Sequence, residues 1–268
     1  MRALSRYLPR FRSLVAVALL ALAAVRPAAA VDWTDLWWNS NESGWGVNFV
    51  QADDFIFATF FVYGANQQPT WYTGQMSVDA NGVWSGPLYQ TTGPYYGGIW
   101  DPTQRTTTQV GSVTFTPATS YAGTLTYNVN AVNVTKVVTR QTLKPIPLGG
   151  PYSGAYLSVF TNCNDPALNG SVRTFIDVTV AQNTGGSLVI DFGTSSTATC
   201  RLAGGYFQEG QLYRIPDAAY TCGTTFTSTA AVSQVKATAQ GIEGQWSASV
   251  TSQYPGCIET AYFSAVLL

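Results

Sequence analysis

The chain has 268 residues, no histidine, 10% charged and 13% aromatic side chains, and a formal net charge of −1. Without imidazole there is no Ser-His or Cys-His nucleophile pair and no histidine-ligated metal site. Beyond residue 30 the chain carries eight Lys/Arg against 14 Asp/Glu, a net charge of −6 with no basic run, so nucleic acid is excluded as an expected partner.

The first 30 residues read as an export signal. Arg2, Arg6, Arg10 and Arg12 precede an apolar run from Leu14 to Val25, which Arg26-Pro27-Ala28-Ala29-Ala30 closes. That small-x-small ending predicts cleavage near Ala30. The run is shorter than the roughly 20 residues that cross a bilayer, and Pro27 ends it. The expected product is secreted or periplasmic, with no membrane span.

From residue 31 onward, short alternating runs separated by turn residues predict an all-β protein, since no stretch sustains a 3.6-residue apolar period. Strands are expected at Trp33–Trp38, Gly44–Gln51, Phe55–Tyr63, Thr70–Met76, Val83–Gln90, Thr107–Thr116, Tyr121–Val129 and Val132–Gln141. The segment 144–151, with three prolines and two glycines, reads as a linker between domains 31–143 and 152–268. Eight further strands are expected at Tyr152–Thr161, Val172–Ala181, Ser187–Phe192, Thr197–Ala203, Gln211–Ile215, Thr225–Lys236, Ile242–Val250 and Thr260–Leu267. Eight antiparallel strands per half suit a closed up-and-down barrel, and a β-sandwich is the alternative. The halves are expected to fold as separate units.

All four cysteines lie in the second half. An even number in an exported chain predicts two disulfides. Cys200 and Cys222 flank a turn at Glu209-Gly210-Gln211 and would face each other across a hairpin, which leaves Cys163 to pair with Cys257. No pair has the short spacing of a metal site, and neither a metal nor a cofactor is expected.

The stretch Trp37-Trp38-Asn39-Ser40-Asn41-Glu42-Ser43-Gly44-Trp45-Gly46-Val47-Asn48, followed by Pro69-Thr70-Trp71-Tyr72, resembles a module of secreted bacterial proteins that has no established activity. A broader resemblance is to the calycins, the barrel group of lipocalins, fatty-acid-binding proteins and avidins. In that group a first-strand Trp packs against an Arg of the last strand and closes one barrel end. Trp37 or Trp38 and Arg140 stand where such a pair would form, although Asp35-Leu36-Trp37 replaces the lipocalin G-x-W. The resemblance implies a structural cation–π contact there.

Seven of the eight tryptophans lie in the first half. Core packing accounts for many of the aromatic residues, but Tyr95, Tyr96 and Trp100 occupy the glycine-rich loop Gly93–Trp100, and Trp45 and Trp71 sit at strand ends. These five are the candidate binding residues, for a carbohydrate or a small apolar molecule stacked at a barrel mouth. In Phe55–Tyr63 both faces are apolar, so one should meet another domain or chain. On the last strand of the first half, Lys136 and Arg140 lie in an otherwise apolar row and could hold an anionic head group. Glu42, beside aromatic residues that would raise its pKa, is the candidate general acid of a glycosidase, with Asp53, Asp54 or Asp101 as second carboxylate. The primary expectation is a non-enzymatic binding module with no catalytic residue. A glycosidase and a structural or adhesive protein that binds other proteins are the alternatives.

Overall fold

The computed structural model describes residues 31–268 except 194–198, 225 and 251–255. The expected signal segment, 1–30, lies outside the described residues, as do the first residues of the expected strands at Thr197 and Thr225. Among the described residues no helix is long and apolar enough to cross a membrane.

The first half is a closed barrel of eight strands in chain order. They are β1 (Asp35–Trp38), β2 (Gly46–Ala52), β3 (Phe55–Tyr63), β4 (Pro69–Val78), β5 (Trp84–Thr92), β6 (Thr106–Thr119), β7 (Ala122–Val129) and β8 (Val132–Arg140). Each pairs antiparallel with the next, and β1 pairs with β8 to close the ring. Alternation decides which side chains fill it: Ile56, Ala58 and Phe60 are buried while Phe55, Phe57 and Phe61 are exposed, as the two-residue period of a strand requires.

The second half is β9 (Gly150–Thr161), β10 (Gly170–Gln182), β11 (Ser187–Gly193), β12 (Cys200–Gly205), β13 (Phe207–Glu209), β14 (Leu212–Cys222), β15 (Phe226–Ala237), β16 (Gly241–Val250) and β17 (Cys257–Leu267). Here too each strand follows its neighbour, β17 returns to β9, and β14 pairs with both β12 and β13. β12 and β13 thus make one interrupted strand, and the result is a second eight-stranded up-and-down barrel. Two such barrels fit the calycin-like resemblance, while the ladders leave no open pair of sheets for a sandwich. β14 runs to Cys222, well past the expected end at Ile215. Pro216 falls within the register shift between Ile215 and Ala218, and a bulge tolerates its missing N–H. β9 starts at Gly150, inside the segment read as linker.

Both disulfides form as read from the spacing, Cys163 with Cys257 and Cys200 with Cys222. Cys200 and Cys222 are direct register partners across β12 and β14.

Among the described residues strand pairing does not cross between the halves, yet side-chain and backbone contacts do. At the start of β1 and the end of β8, Arg140 Nη1 donates to Asp35 Oδ2 at 3.2 Å, and its Nε donates to the Ser120 carbonyl at 2.8 Å. Both side chains of this ion pair are 1% exposed. The guanidinium lies 4.8 Å from the Trp37 ring centre, so Trp37 rather than Trp38 makes the closing contact expected of Arg140. The turn of the second barrel caps this end: Gln211 N–H donates to Asp35 Oδ2 and Gly210 N–H donates to Thr142 Oγ1. Gly210 has φ +66°, and a Cβ there would overlap the Asp35 carboxylate, so only glycine allows this approach. Arg214 stacks between Tyr121 and Phe207 at 4.4 and 4.5 Å. The proline-rich connection is itself pinned, with Ile146 and Tyr213 exchanging two hydrogen bonds and Leu148 fully buried.

The second core holds one carboxyl without a cation. Glu259, 3% exposed, accepts from Ser158 Oγ at 2.5 Å. Burial pushes its pKa above the usual carboxylate range, although the Ser158 hydrogen bond and the nearby Tyr220 and Trp246 side chains pull the other way. A raised folded pKa means that the ionised form strains the fold: the cost is absent below the unfolded value and grows as pH rises through the folded one. Glu259→Gln is therefore expected to be more stable than wild type at neutral pH. The difference should vanish as denaturation is repeated below pH of about 4, under the ordinary carboxylate range, and an advantage that persists there would show that the charge is not the cause.

Candidate functional site

Hairpins of an up-and-down barrel alternate between its two ends. In the first barrel the turns 53–54, 79–83 and 120–121 share the end that carries Asp35 and Arg140, which the second barrel caps. The connections 39–45, 64–68, 93–105 and 130–131 therefore share the other end, the mouth. All five candidate binding residues, Trp45, Trp71, Tyr95, Tyr96 and Trp100, lie in or beside these mouth connections.

They do not form one cluster. Trp45, one residue before β2 and in phase with its buried Val47 and Phe49, is half-buried. Its Nε1 donates to Glu42 Oε2 at 3.1 Å, the same oxygen that Lys136 Nζ approaches at 2.7 Å. Lys136 also lies 5.9 Å from the Trp45 ring centre. Lys136 reaches this position because it shares the phase of the inward-facing Val138 and Arg140 on β8. Below this group, Tyr127 packs against Phe60 at 5.2 Å between ring centres. Burial raises the Tyr127 pKa, helped by the Glu42 charge.

This network reverses the expected direction for Glu42. The hydrogen bond from Lys136, supported by that from Trp45, holds its carboxyl below the usual range, where it stays ionised at neutral pH. Sequence reasoning looked at the neighbouring aromatics and missed Lys136, 94 positions away. The other carboxylates are no closer to partnership. Asp53 and Asp54 form the β2–β3 turn at the capped end, and Asp101 is engaged by the Thr103 amide and hydroxyl and by Gln104.

Trp71 belongs to a second feature on the rim. It is 47% exposed and directly opposite Phe61, while Tyr63, two pairs nearer the turn, faces Pro69. Together with Gly44 and Thr70 these residues line an open cleft of about 250 Å³. Gly44 has φ +114° and lies against the Tyr63 hydroxyl; that backbone conformation is one glycine adopts without strain. Phe61 and Tyr63 were not singled out for binding, because both faces of this strand are apolar and alternation alone does not say which one is outward. Their role emerges only when the register sets Phe61 against Trp71.

The loop 93–100 stands out from the barrel. Tyr96 is 93% and Ile99 96% exposed, with Tyr95 and Trp100 also largely in solvent. Tyr95 and Tyr96 pack on each other at 4.8 Å, and the loop is tightened by a Gly98 N–H bond to the Tyr95 carbonyl. Asp101 then caps a short 3-10 turn at Pro102–Gln104. The rings are thus presented by local structure, as expected of residues outside the core.

No family model matches this chain, and no curated protein matches it. Among solved structures, it is similar to a protein of unknown function from the DUF3598 family of Nostoc punctiforme. The identity is 7%, the TM-score is 0.29, and the match covers 87% of this chain and 93% of that one. Among the described residues, no group of three or more Cys, Asp or Glu side chains could hold a metal ion.

Proposed function

We propose that the protein is an exported, non-enzymatic binding module whose rim cleft on the first barrel takes a carbohydrate. The observation that carries this reading is the row Phe61, Tyr63 and Trp71, exposed aromatic faces on two paired strands beside an open cleft. Neighbouring strands are spaced about 5 Å apart and alternate residues about 7 Å, which suits the ring spacing of a glycan. An open cleft leaves one ligand face in water. Sugars tolerate that because only their C–H faces are apolar, whereas a small apolar molecule gains most from enclosure. The aromatic loop 93–100, at the same barrel end, can extend contact along a chain.

Export is supported by the signal-like N-terminal sequence and by two disulfides, which persist in oxidising compartments. A binding role rather than hydrolysis is supported by Glu42: an ion-paired carboxyl with a lowered pKa is poorly suited to donate a proton to a leaving group. Titrating neutral cello-, xylo- and chito-oligosaccharides against tryptophan fluorescence tests the proposal. Trp71→Ala should weaken the response several-fold, since one stacked ring contributes on the order of 0.5–1.5 kcal/mol, while Glu42→Gln should bind unchanged. Product release that Glu42→Gln abolishes would favour the glycosidase. No oligosaccharide binding, with self-association through Val50, Phe55 and Phe57, would favour an adhesive role.

A further inference from the structure

The second barrel carries an outward-facing groove that none of the preceding reasoning uses. Strand register builds it from two rows. Leu157 on β9 pairs with Arg173 on β10 and with Tyr262 on β17, and Ala155 pairs with Phe175 and with Ser264 on the same two strands. The small Ala155 between larger neighbours leaves a hollow, and the groove measures about 530 Å³, within the usual range for small-ligand sites. Phe175 is 84% exposed at its edge, far more than a sheet-surface aromatic needs to be if it served packing alone. Arg173 is exposed and makes no ion pair among the described residues. The contrast is Arg201, one strand pair away on the same barrel, which holds Asp191 through two hydrogen bonds at 2.7 and 2.9 Å.

An aromatic ring, a guanidinium without a counterion and a hydroxyl on the rim define the chemistry. The guanidinium calls for an oxyanion, and its flat fork suits a carboxylate. The ring calls for an apolar face, and the exposed Ser264 hydroxyl calls for a hydroxylated partner. The protein's own charge limits how much anion can approach: with −6 beyond residue 30, a polyanion would be repelled, and one guanidinium neutralises one carboxylate. We propose that the groove is a second binding site, for a single uronic acid residue carried by an otherwise uncharged glycan. Arg173 pairs with the carboxylate, Phe175 takes the sugar face over Ala155, and the open ends of the groove let the chain continue. The site is on a different barrel from the rim cleft and stands whether or not that cleft binds sugar.

The test uses the full exported chain, a xylo-oligosaccharide bearing one glucuronic acid, the same oligosaccharide without it, and a short glutamate-rich peptide. Calorimetry gives affinity, and NMR shifts at Leu157 and Phe175 report the location. The substituted glycan should bind at this groove about tenfold more tightly than the neutral one, the scale of one charge-assisted pair. Arg173→Gln should erase that difference, and Phe175→Ala should weaken binding at the groove several-fold, read from the Leu157 shifts. Both groove variants alter exposed side chains, so they should fold normally. The proposal is overturned if the substituted glycan fails to shift Leu157 and Phe175, if Arg173→Gln binds it as wild type does, or if the peptide binds the groove as tightly as the glycan.

Discussion

Arg140→Ala is expected to destabilise the protein by about 3–5 kcal/mol, the range for removing one partner of a buried ion pair. The variant leaves the Asp35 carboxylate almost fully buried, with the Leu36 amide donating to Oδ1 and the Gln211 amide to Oδ2 but no cation beside it. It also removes donors to the Ser120 and Thr34 carbonyls and the cation over Trp37. Because Gln211 belongs to the second barrel, the loss should fall on the junction as well as on the first barrel, and the two halves should separate in denaturant titrations more readily than in wild type. The double change Asp35→Asn with Arg140→Met should recover much of the loss, since it leaves no buried charge unpaired. If Arg140→Ala costs less than about 1 kcal/mol, the level of an exposed pair, the closed end is not organised around this contact.

Reduction should produce the second large effect, confined at first to the second barrel. The disulfides close loops of 94 and 22 residues, which chain-entropy reasoning values at roughly 5 and 3 kcal/mol. Both tie neighbouring strand ends on the same barrel, and no cysteine lies in the first. In reducing buffer, residues 150–268 are expected to unfold at lower denaturant, while the first barrel, whose ring needs no strand from the second, keeps its own transition. Loss of both barrels in one step on reduction would show that the cap formed by Gly210 and Gln211 is indispensable to the first.

The elements were legible where alternation is strict. Phe55–Tyr63 has the observed bounds because each apolar residue on the inner face is matched by an outward one, and the turns on either side are unambiguous. The contact of Arg140 with Trp37 or Trp38 was legible through the calycin resemblance, and the disulfides through the turn between Cys200 and Cys222, which left Cys163 for Cys257. β14 continues past the expected end at Ile215 because Pro216 sits in a bulge, which tolerates a proline that a regular strand would not. Glu259 went unnoticed because the last strand was started at Thr260, although Cys257, Glu259, Ala261 and Phe263 share an inward phase. The groove at Arg173 needs three strands in register, and the Gly210 contact joins residues far apart on two barrels. Neither leaves a mark in local spacing. The sites were therefore partly readable as exposed aromatics, and unreadable where charge partners such as Lys136 and Glu42 come from distant strands.

Binding at the rim is tested most directly by the indole N–H resonances of the eight tryptophans during titration with the neutral oligosaccharides. Trp71 should shift first and furthest, with Trp45 and Trp100 following if the chain extends across the mouth. Trp37, Trp84 and Trp246, buried in the two cores, should hold their positions. Shifts confined to Trp246, or a Trp71 resonance unmoved by every oligosaccharide in the series, would contradict carbohydrate binding at the first barrel.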